Sequence, residues 1–215
     1  MTRLVDWSAL TGISPLLAAL PLEARSGTRT LELDVSEYVF RSQDRPAAMF
    51  FIASGAVKLV RRSMSGDAIV LQRNSGGFLA EASLDQPAYH CDAVVVSQSR
   101  MLAIPLISFR AALDDAGFRQ GWMSHLAREL RRVRAQAERL GLRSAQERIL
   151  HYIEVEGIGG SVVLDRSKKD WASELGISHE ALYRTLARME RGGEIHIDGM
   201  IVSRLTSTLK HGRAT

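Results

Sequence analysis

The chain of 215 residues contains one cysteine, which excludes several kinds of site. A single cysteine cannot close an internal disulfide or build a four-cysteine iron–sulfur or zinc centre. Hydrophobic runs are also short, and none approaches the roughly 18–20 apolar residues that a membrane helix requires. The N-terminal region lacks the basic-then-apolar layout of a signal peptide, because Asp6 and Pro15 interrupt it. We therefore expect a cytoplasmic protein with no membrane partner.

Charge of one sign is only slightly in excess, since the formal net charge is +4 and the sequence pI is about 9.6. That balance is compatible with a polyanionic partner but does not identify one. The composition is 46% hydrophobic and 24% charged, which suffices for a sizeable core. A chain of this length has room for two modest domains.

The first half of the chain predicts an all-β domain. Turn residues recur at Gly55, Gly66 and the Gly76-Gly77 pair, a spacing typical of an antiparallel sandwich or barrel. The predicted strands are Thr30–Leu33, Tyr38–Phe40, Met49–Ser54, Ala56–Arg62, Ile69–Arg73, Cys91–Ser97 and Met101–Ile104. With short helices at Ser14-Pro15 and Ser108–Leu113, these form a predicted β-domain over residues 1–113.

A long helix follows, and residues 114–142 are predicted to form a dimerisation segment. Its apolar positions are spaced by four, four, three, four and three residues, as in a heptad seam. The seam residues are Trp122, Leu126, Leu130, Val133, Ala137 and Leu140. Arginines occupy the rest of the circumference, where we expect solvent: Arg128, Arg131, Arg132, Arg134 and Arg139. The alternative is a helix that packs on its own domain; we favour the homodimer because the helix is longer than such a domain could cover.

Residues 143–215 predict a winged helix-turn-helix domain, entered through a hinge near Gly141–Ser144. Ser144 and Glu147 have the spacing of a capping box. Ser167 and Asp170 begin a second helix, which Gly176 ends in a tight turn. The segment Glu194–Val202 reads as a hairpin with Asp-Gly at its turn, which would be the wing, and the tail Lys210–Thr215 is polar.

The helix over residues 178–191 has the pattern of a recognition helix. Leu182, Thr185, Leu186 and Met189 share one face and are predicted to be buried. The opposite face of the first turns carries His179, Glu180, Tyr183 and Arg184, whose side chains suit base edges and phosphates. Arginine can bond guanine O6 and N7 together, and glutamate can accept from cytosine N4. Ser178, Arg188, Lys168 and Lys169 complete the predicted DNA-binding set.

In its order of parts the chain resembles the catabolite-activator and fumarate/nitrate-reductase-regulator (CRP/FNR) family of bacterial transcription factors. The resemblance rests on Tyr38–Phe40, Met49–Val57, Gly77–Leu84 and Asp170–Arg184. It implies an antiparallel β-roll of the cyclic-nucleotide-binding jelly-roll type, a dimerisation helix and a winged helix-turn-helix, in an α+β fold. Glu180 and Arg184 align with the family's half-site-reading glutamate and arginine, whereas His179 replaces a further arginine. The implied partners are an inverted repeat of double-stranded DNA, a second copy of the chain and RNA polymerase.

At the effector pocket that the resemblance implies, the sequence departs from the family. Glu81 and Ala82 keep part of a turn that holds ribose, but Cys91-Asp92 stands where relatives have the Arg-Ser pair that clamps the cyclic phosphate. Asp92 would repel that phosphate, which argues against cyclic AMP or GMP. His90 and Cys91 point to opposite faces of a strand, so we expect no shared metal. Thiol redox sensing and haem ligation by one side chain remain alternatives, and no cofactor is otherwise expected.

Two other functions fit the sequence less well than a DNA-binding regulator. A metal-dependent β-barrel enzyme needs two or three histidines and a carboxylate, whereas the β-domain holds only His90. A ligand-binding module without specific DNA binding does not account for the winged helix-turn-helix pattern. We therefore expect a regulator and not an enzyme.

Overall fold

The computed structural model describes residues 5–7, 10, 12–62, 68–164 and 167–205. The chain divides into two units, Met1–Arg128 and Glu129–Thr215, so this division falls within the long helix. The predicted turn at Gly66 and the tail Lys210–Thr215 lie outside the described residues. Within the described ranges, every helix is too short or too polar to cross a membrane.

The first unit is a six-stranded antiparallel sheet with helices at its margins. Helices α1 (Pro15–Ala18) and α2 (Leu22–Arg25) precede the strands, and Ser14 caps α1 by accepting from the amide of Leu17. The strands are β1 (Arg29–Leu33), β2 (Tyr38–Phe40), β3 (Ala48–Arg62), β4 (Ala68–Asn74), β5 (Gly77–Leu79) and β6 (Asp92–Pro105). A 3₁₀ turn spans Glu81–Ser83, and helix α3 (Leu106–Ala112) follows β6.

Strands β3 and β6 form the centre of this sheet and pair with each other over most of their length. The first half of β3 also pairs with β5, and the second half with β4. Strands β1 and β2 pair with β6, so each shorter strand of the sheet pairs with one of the two long strands. The prediction of an antiparallel β-roll is therefore confirmed.

Two predicted breaks in these strands were wrong. Gly55 was expected to end one strand and begin another, but it lies within the continuous β3, at a bulge where the register with β6 shifts. Likewise, the predicted strands Cys91–Ser97 and Met101–Ile104 fall in the single strand β6, apart from Cys91, which immediately precedes it. Gly55 has φ of +91°, and a Cβ there would lie 2.4 Å from the carbonyl oxygen of Gln98. The glycine therefore permits a close approach of two strands rather than a chain reversal.

Two clusters of buried side chains fill the first unit. One lies inside the roll and includes Ile52, Val57, Leu79, Cys91 and Met101. The other joins the outer face of the sheet to the helices. It includes Leu17, Phe51, Phe78, Phe109 and Trp122. Edge-to-face aromatic pairs fix this second cluster, with ring centroids 4.8 Å apart for Phe109 and Trp122.

Helix α4 (Ala116–Gly141) is the predicted long helix, but two of its residues differ from expectation. Trp122 was placed on the dimer seam, yet its side chain is only 2% exposed in the core of the first unit. Arg139 was expected in solvent and is 1% exposed. Its Nη2 donates to Glu156 Oε1 at 3.1 Å, and its guanidinium lies over the ring of Tyr152. Burial of this arginine is tolerated because both its charge and its planar face have partners.

The second unit packs three helices against a small sheet. Helix α5 spans Ala145–Glu156, α6 spans Lys168–Glu174 and α7 spans His179–Arg191. Strands β7 (Ser161–Val163), β8 (Ile195–Asp198) and β9 (Ile201–Arg204) form a sheet in the order β7-β9-β8. The core shared by helices and sheet includes Ile149, Trp171, Leu182, Met189 and Val202.

In this unit the predicted helix cap at Ser144 forms, but the predicted hairpin turn is displaced by one residue. The capping box at Ser144 forms, with the hydroxyl accepting from the Glu147 amide at 3.1 Å and the carboxylate accepting from the Ser144 amide at 2.9 Å. In the β8–β9 hairpin, however, Asp198 pairs with Ile201, so the two turn residues are Gly199 and Met200 instead of Asp-Gly. Gly199 has φ of +57°, which explains the glycine at the first turn position.

Candidate nucleic-acid interface and effector region

Helix α7 has one buried and one exposed face. Leu182, Thr185, Leu186 and Met189 are buried, as the spacing predicted. Ser178 caps the helix, since its hydroxyl accepts from the Ala181 amide at 3.1 Å. Gly176, with φ of +65°, makes the turn that joins α6 to α7. The α6–turn–α7 arrangement followed by the β8–β9 wing is a winged helix-turn-helix.

The exposed face of the first turns brings together four predicted DNA-binding residues. The rings of His179 and Tyr183 meet edge to face with centroids 4.5 Å apart, and Lys168 Nζ of α6 lies 5.6 Å from the Tyr183 ring centroid. Hydrogen bonds from its own amide and from Ser178, with His179 and Arg184 nearby, lower the pKa of Glu180. Glu180 is therefore a carboxylate at neutral pH, able to accept but not donate.

The other basic residues of the predicted set differ in their surroundings. Arg184 and Lys169 are exposed. Arg188 is exposed too, but its Nη2 donates to Gln146 Oε1 at 3.3 Å. The Gln146 Nε2 in turn donates to Glu194 Oε2 at 2.6 Å. Arg188 thus connects α7 to α5 and to the start of the wing. Sequence reasoning missed Gln146, because no local pattern distinguishes it from a solvated helical glutamine.

In the effector region, the two predicted carboxylates have different partners. Glu81 Oε1 lies 3.1 Å from Nε2 of His125, on α4. Asp92 Oδ1 accepts from the backbone amide of Ser42 at 2.8 Å. Asp92 therefore has a structural partner in the loop after β2, while Glu81 is directed to the long helix. His125 was not singled out from the sequence, although it lies three residues after the core residue Trp122.

The remaining effector-region residues do not assemble a metal site. Ala82 and His90 are exposed, whereas Cys91 is 1% exposed inside the roll, as expected for neighbours on opposite faces of a chain. Burial first, and the adjacent Asp92 second, raise the pKa of the Cys91 thiol. A buried, protonated thiol is a poor nucleophile and metal ligand. Among the described residues, no group of three or more His, Cys, Asp or Glu side chains could hold a metal ion.

A cavity of about 420 Å³ lies beside the Glu81–His125 pair in the first unit. Pro15, Phe51 and Phe78 contribute apolar walls, and His125 and Arg128 contribute polar groups. It adjoins the aromatic cluster that joins sheet to helix, outside the core of the roll.

Apolar side chains on α4 remain exposed in the single chain. Leu130 and Val133 are each 51% exposed, and Leu140 is 47% exposed. Ala137 is also exposed, while Leu126 packs partly against the core of the first unit. Four of the six predicted seam residues are thus available for contact with a second chain.

Comparison with known proteins identifies the fold. Residues 30–116 match the family model described as the cyclic nucleotide-binding domain. The structure of FixK2 from Bradyrhizobium japonicum aligns with a TM-score of 0.65 at 17% identity, over 82% of this chain and 92% of that chain. CLP, a c-di-GMP responsive global regulator from Xanthomonas campestris, aligns with a TM-score of 0.57 at 20% identity, over 82% and 93%.

A transcriptional regulator of the CRP family from Thermus thermophilus also aligns, with a TM-score of 0.57 at 20% identity, over 81% of this chain and 91% of that chain. No curated protein sequence matches the chain. These structural alignments extend over both units. The similarity in fold therefore reaches beyond residues 30–116, which the family model matches.

Proposed function

We propose that this chain, which has the fold of CRP/FNR-type transcriptional regulators, is a dimeric DNA-binding regulator and not an enzyme. The observation that carries the proposal is the exposed face of α7, where His179, Glu180, Tyr183 and Arg184 lie together on a helix whose other face is buried. Side chains of this kind on the first turns of the second helix suit the major groove.

Arg184 and Glu180 are the proposed base-reading residues. The arginine fork can bond O6 and N7 of one guanine, and the Glu180 carboxylate can accept from cytosine N4. Because a carboxylate is otherwise repelled by phosphates, Glu180 contributes to specificity rather than to affinity. Lys168, Lys169 and Arg188 are proposed to bond the DNA backbone, which positions the helix without reading sequence.

A second copy of the chain is the proposed dimer partner. Exposed Leu130, Val133, Ala137 and Leu140 recur at heptad spacing, and burying them between two helices would remove this apolar surface from water. Two recognition helices related by a dyad would read an inverted repeat with half-site centres about 34 Å apart. RNA polymerase is a further proposed partner, and this proposal rests on the fold alone.

We further propose that the β-roll does not bind a cyclic nucleotide in the manner of cyclic-nucleotide-binding regulators. At the positions aligned with the phosphate-clamping pair, Cys91 is buried and Asp92 accepts from Ser42. Neither residue supplies a cation for a phosphate. Equilibrium dialysis against labelled cyclic AMP tests this directly: retention of the nucleotide by the wild-type protein, lost in Glu81→Gln, would refute it.

The experiment that tests DNA reading compares Arg184→Ala with Arg191→Ala. Both variants remove one exposed charge from α7, but Arg191 lies in the last turn, where its Nε donates to the Ala187 carbonyl. Loss of a bidentate base contact should weaken binding to the selected duplex by about 1–3 kcal/mol, or about 5- to 150-fold. Arg191→Ala should change specific binding less.

Fluorescence anisotropy at one stated salt concentration measures the affinity, because phosphate contacts are salt-dependent. Sedimentation must show the same oligomer for both variants. Specific binding by Arg184→Ala at the wild-type affinity would refute the proposal that Arg184 reads a base.

A further inference from the structure

Arg148 of α5 makes four hydrogen bonds to backbone carbonyls from two other segments. Its Nε donates to the Leu142 oxygen at 3.0 Å, and its Nη2 donates to the Leu140 oxygen at 3.0 Å. Its Nη1 donates to the Leu175 oxygen at 3.0 Å and to the Gly176 oxygen at 2.9 Å. One guanidinium therefore joins the end of the long helix to the turn of the helix-turn-helix.

These carbonyls are available because both segments are helix C-termini, where the last oxygens lack intrahelical partners. Helix α6 ends in a Schellman motif, in which the amides of Gly176 and Ile177 bond to the oxygens of Ser173 and Ala172. The oxygens of Leu175 and Gly176 take no part in this motif and accept from Arg148. A cation at two helix C-termini is also favoured by both helix dipoles.

The contact between the end of the long helix and the turn of the helix-turn-helix is closely packed around Gly176. A Cβ on this glycine would lie 2.6 Å from Leu140 Cδ2 and 3.1 Å from Arg148 Nη1. The end of the long helix is attached to α5 at two further points. Arg139 bonds Glu156, as described above, and His151 Nε2 lies 3.4 Å from Glu138 Oε2. The predicted hinge at 141–144 is thus bridged by side chains from both sides.

We propose that Arg148 is a positioning residue that holds the helix-turn-helix at a fixed angle to the end of the dimerisation helix and so sets the spacing of the two half-sites. This inference rests on the proposed dimeric DNA-binding function. Arg148 does not read bases in this account; it determines where the reading helices point. Without it, the half-site sequence should stay the same while the distance between half-sites becomes less strictly selected.

The test is selection from duplex libraries in which two half-sites are separated by random numbers of base pairs. The full-length wild-type protein is compared with Arg148→Gln, Arg148→Lys and Arg143→Gln. Wild type should enrich one spacing, and Arg148→Gln should enrich several neighbouring spacings with an unchanged half-site. Arg148→Lys keeps the charge but has three donors in place of the planar fork, so it should fall between them. Arg143→Gln removes an exposed charge nearby and should keep the single spacing.

A separate control distinguishes positioning from a loosened fold. Val202→Ala truncates a fully buried side chain in the same domain and should lower its thermal midpoint while leaving the four hydrogen bonds of Arg148 in place. It should keep the wild-type spacing. A single wild-type spacing retained by Arg148→Gln, or a spread in Val202→Ala as wide as that of Arg148→Gln, would overturn the inference. If the wild type itself enriches no repeated half-site, the proposed DNA-binding function fails instead.

Discussion

Replacing Gly55 by alanine should separate β3 and β6, the two longest strands of the first unit. Its φ of +91° already disfavours an L side chain. An added Cβ would lie 2.3 Å from Ser99 Oγ and 2.6 Å from Ser99 Cα. Because one of these contacts is with backbone, rotation of a side chain cannot relieve the overlap. Strand β3 or β6 must move instead.

The magnitude follows from two contributions. Backbone strain at positive φ costs about 1–3 kcal/mol. The strand shift also disturbs the buried hydrogen bond from the Ala56 amide to Ser99 Oγ, which is 3.1 Å long. Leaving that amide unsatisfied costs about 1–3 kcal/mol more. The total of about 2–6 kcal/mol corresponds to a fall in Tm of roughly 4–24 °C for a chain of this size.

Gly77→Ala is the matched control. Gly77 has φ of +87°, but a Cβ there would meet no atom within 4 Å. Gly77→Ala should therefore lose only the stability that backbone strain costs. Calorimetry should show a larger loss of stability for Gly55→Ala. Equal losses in the two variants would refute the close approach of β3 and β6 as the reason for Gly55.

Three other outcomes are expected. Leu130→Glu places a charge on the proposed seam and should shift the dimer toward monomer in sedimentation, whereas Arg131→Glu, an exposed residue outside the seam, should not; an unchanged dimer in both would contradict the seam assignment. Hydrogen bonds from Ser144 hold the pKa of Glu147 below its ordinary 4.5, so Glu147 stabilises the fold above that pH and the stabilisation is lost as pH falls below it. Denaturation curves should therefore show Glu147→Gln less stable near neutral pH, with the difference from wild type shrinking in acid; a constant difference would contradict the capping account. Ser178→Ala removes the cap of α7 and should cost about 0.5–2 kcal/mol, and an unchanged unfolding free energy would count against that cap.

Local signals in the sequence predicted most of the second unit. The capping box at Ser144, the glycine turn and the 3.6-residue spacing of Leu182 and Met189 depend on contacts within a few residues, so pattern reading finds them. The bounds of the long strands were harder to predict, because a glycine in the sequence is compatible with either a turn or a bulge. Only the pairing of Gly55 with the Ser99 region, more than forty residues away in sequence, distinguishes the two.

The sequence did not predict the surroundings of residues whose partners lie in other segments of the chain. The sequence predicts a solvated helical arginine at Arg139. The side chain is buried instead, because it pairs with the Glu156 carboxylate and lies over the Tyr152 ring. Trp122 has the seam spacing and is instead part of the core of the first unit. Arg148 carries no local signal, since its four acceptors come from two other segments. Periodicity tells which side of a helix is apolar but not what covers it.

If the purified protein reads an inverted repeat, selection of random duplex DNA without added ligand will reveal that repeat. Selection and washing should use one stated salt concentration, because counterion release changes affinity steeply. We predict enrichment of two identical half-sites in inverted orientation, about one DNA turn apart, that disappears in Arg184→Ala. Recovery of no common sequence, or of a single unrepeated element, from a folded dimer would show that the protein does not read an inverted repeat.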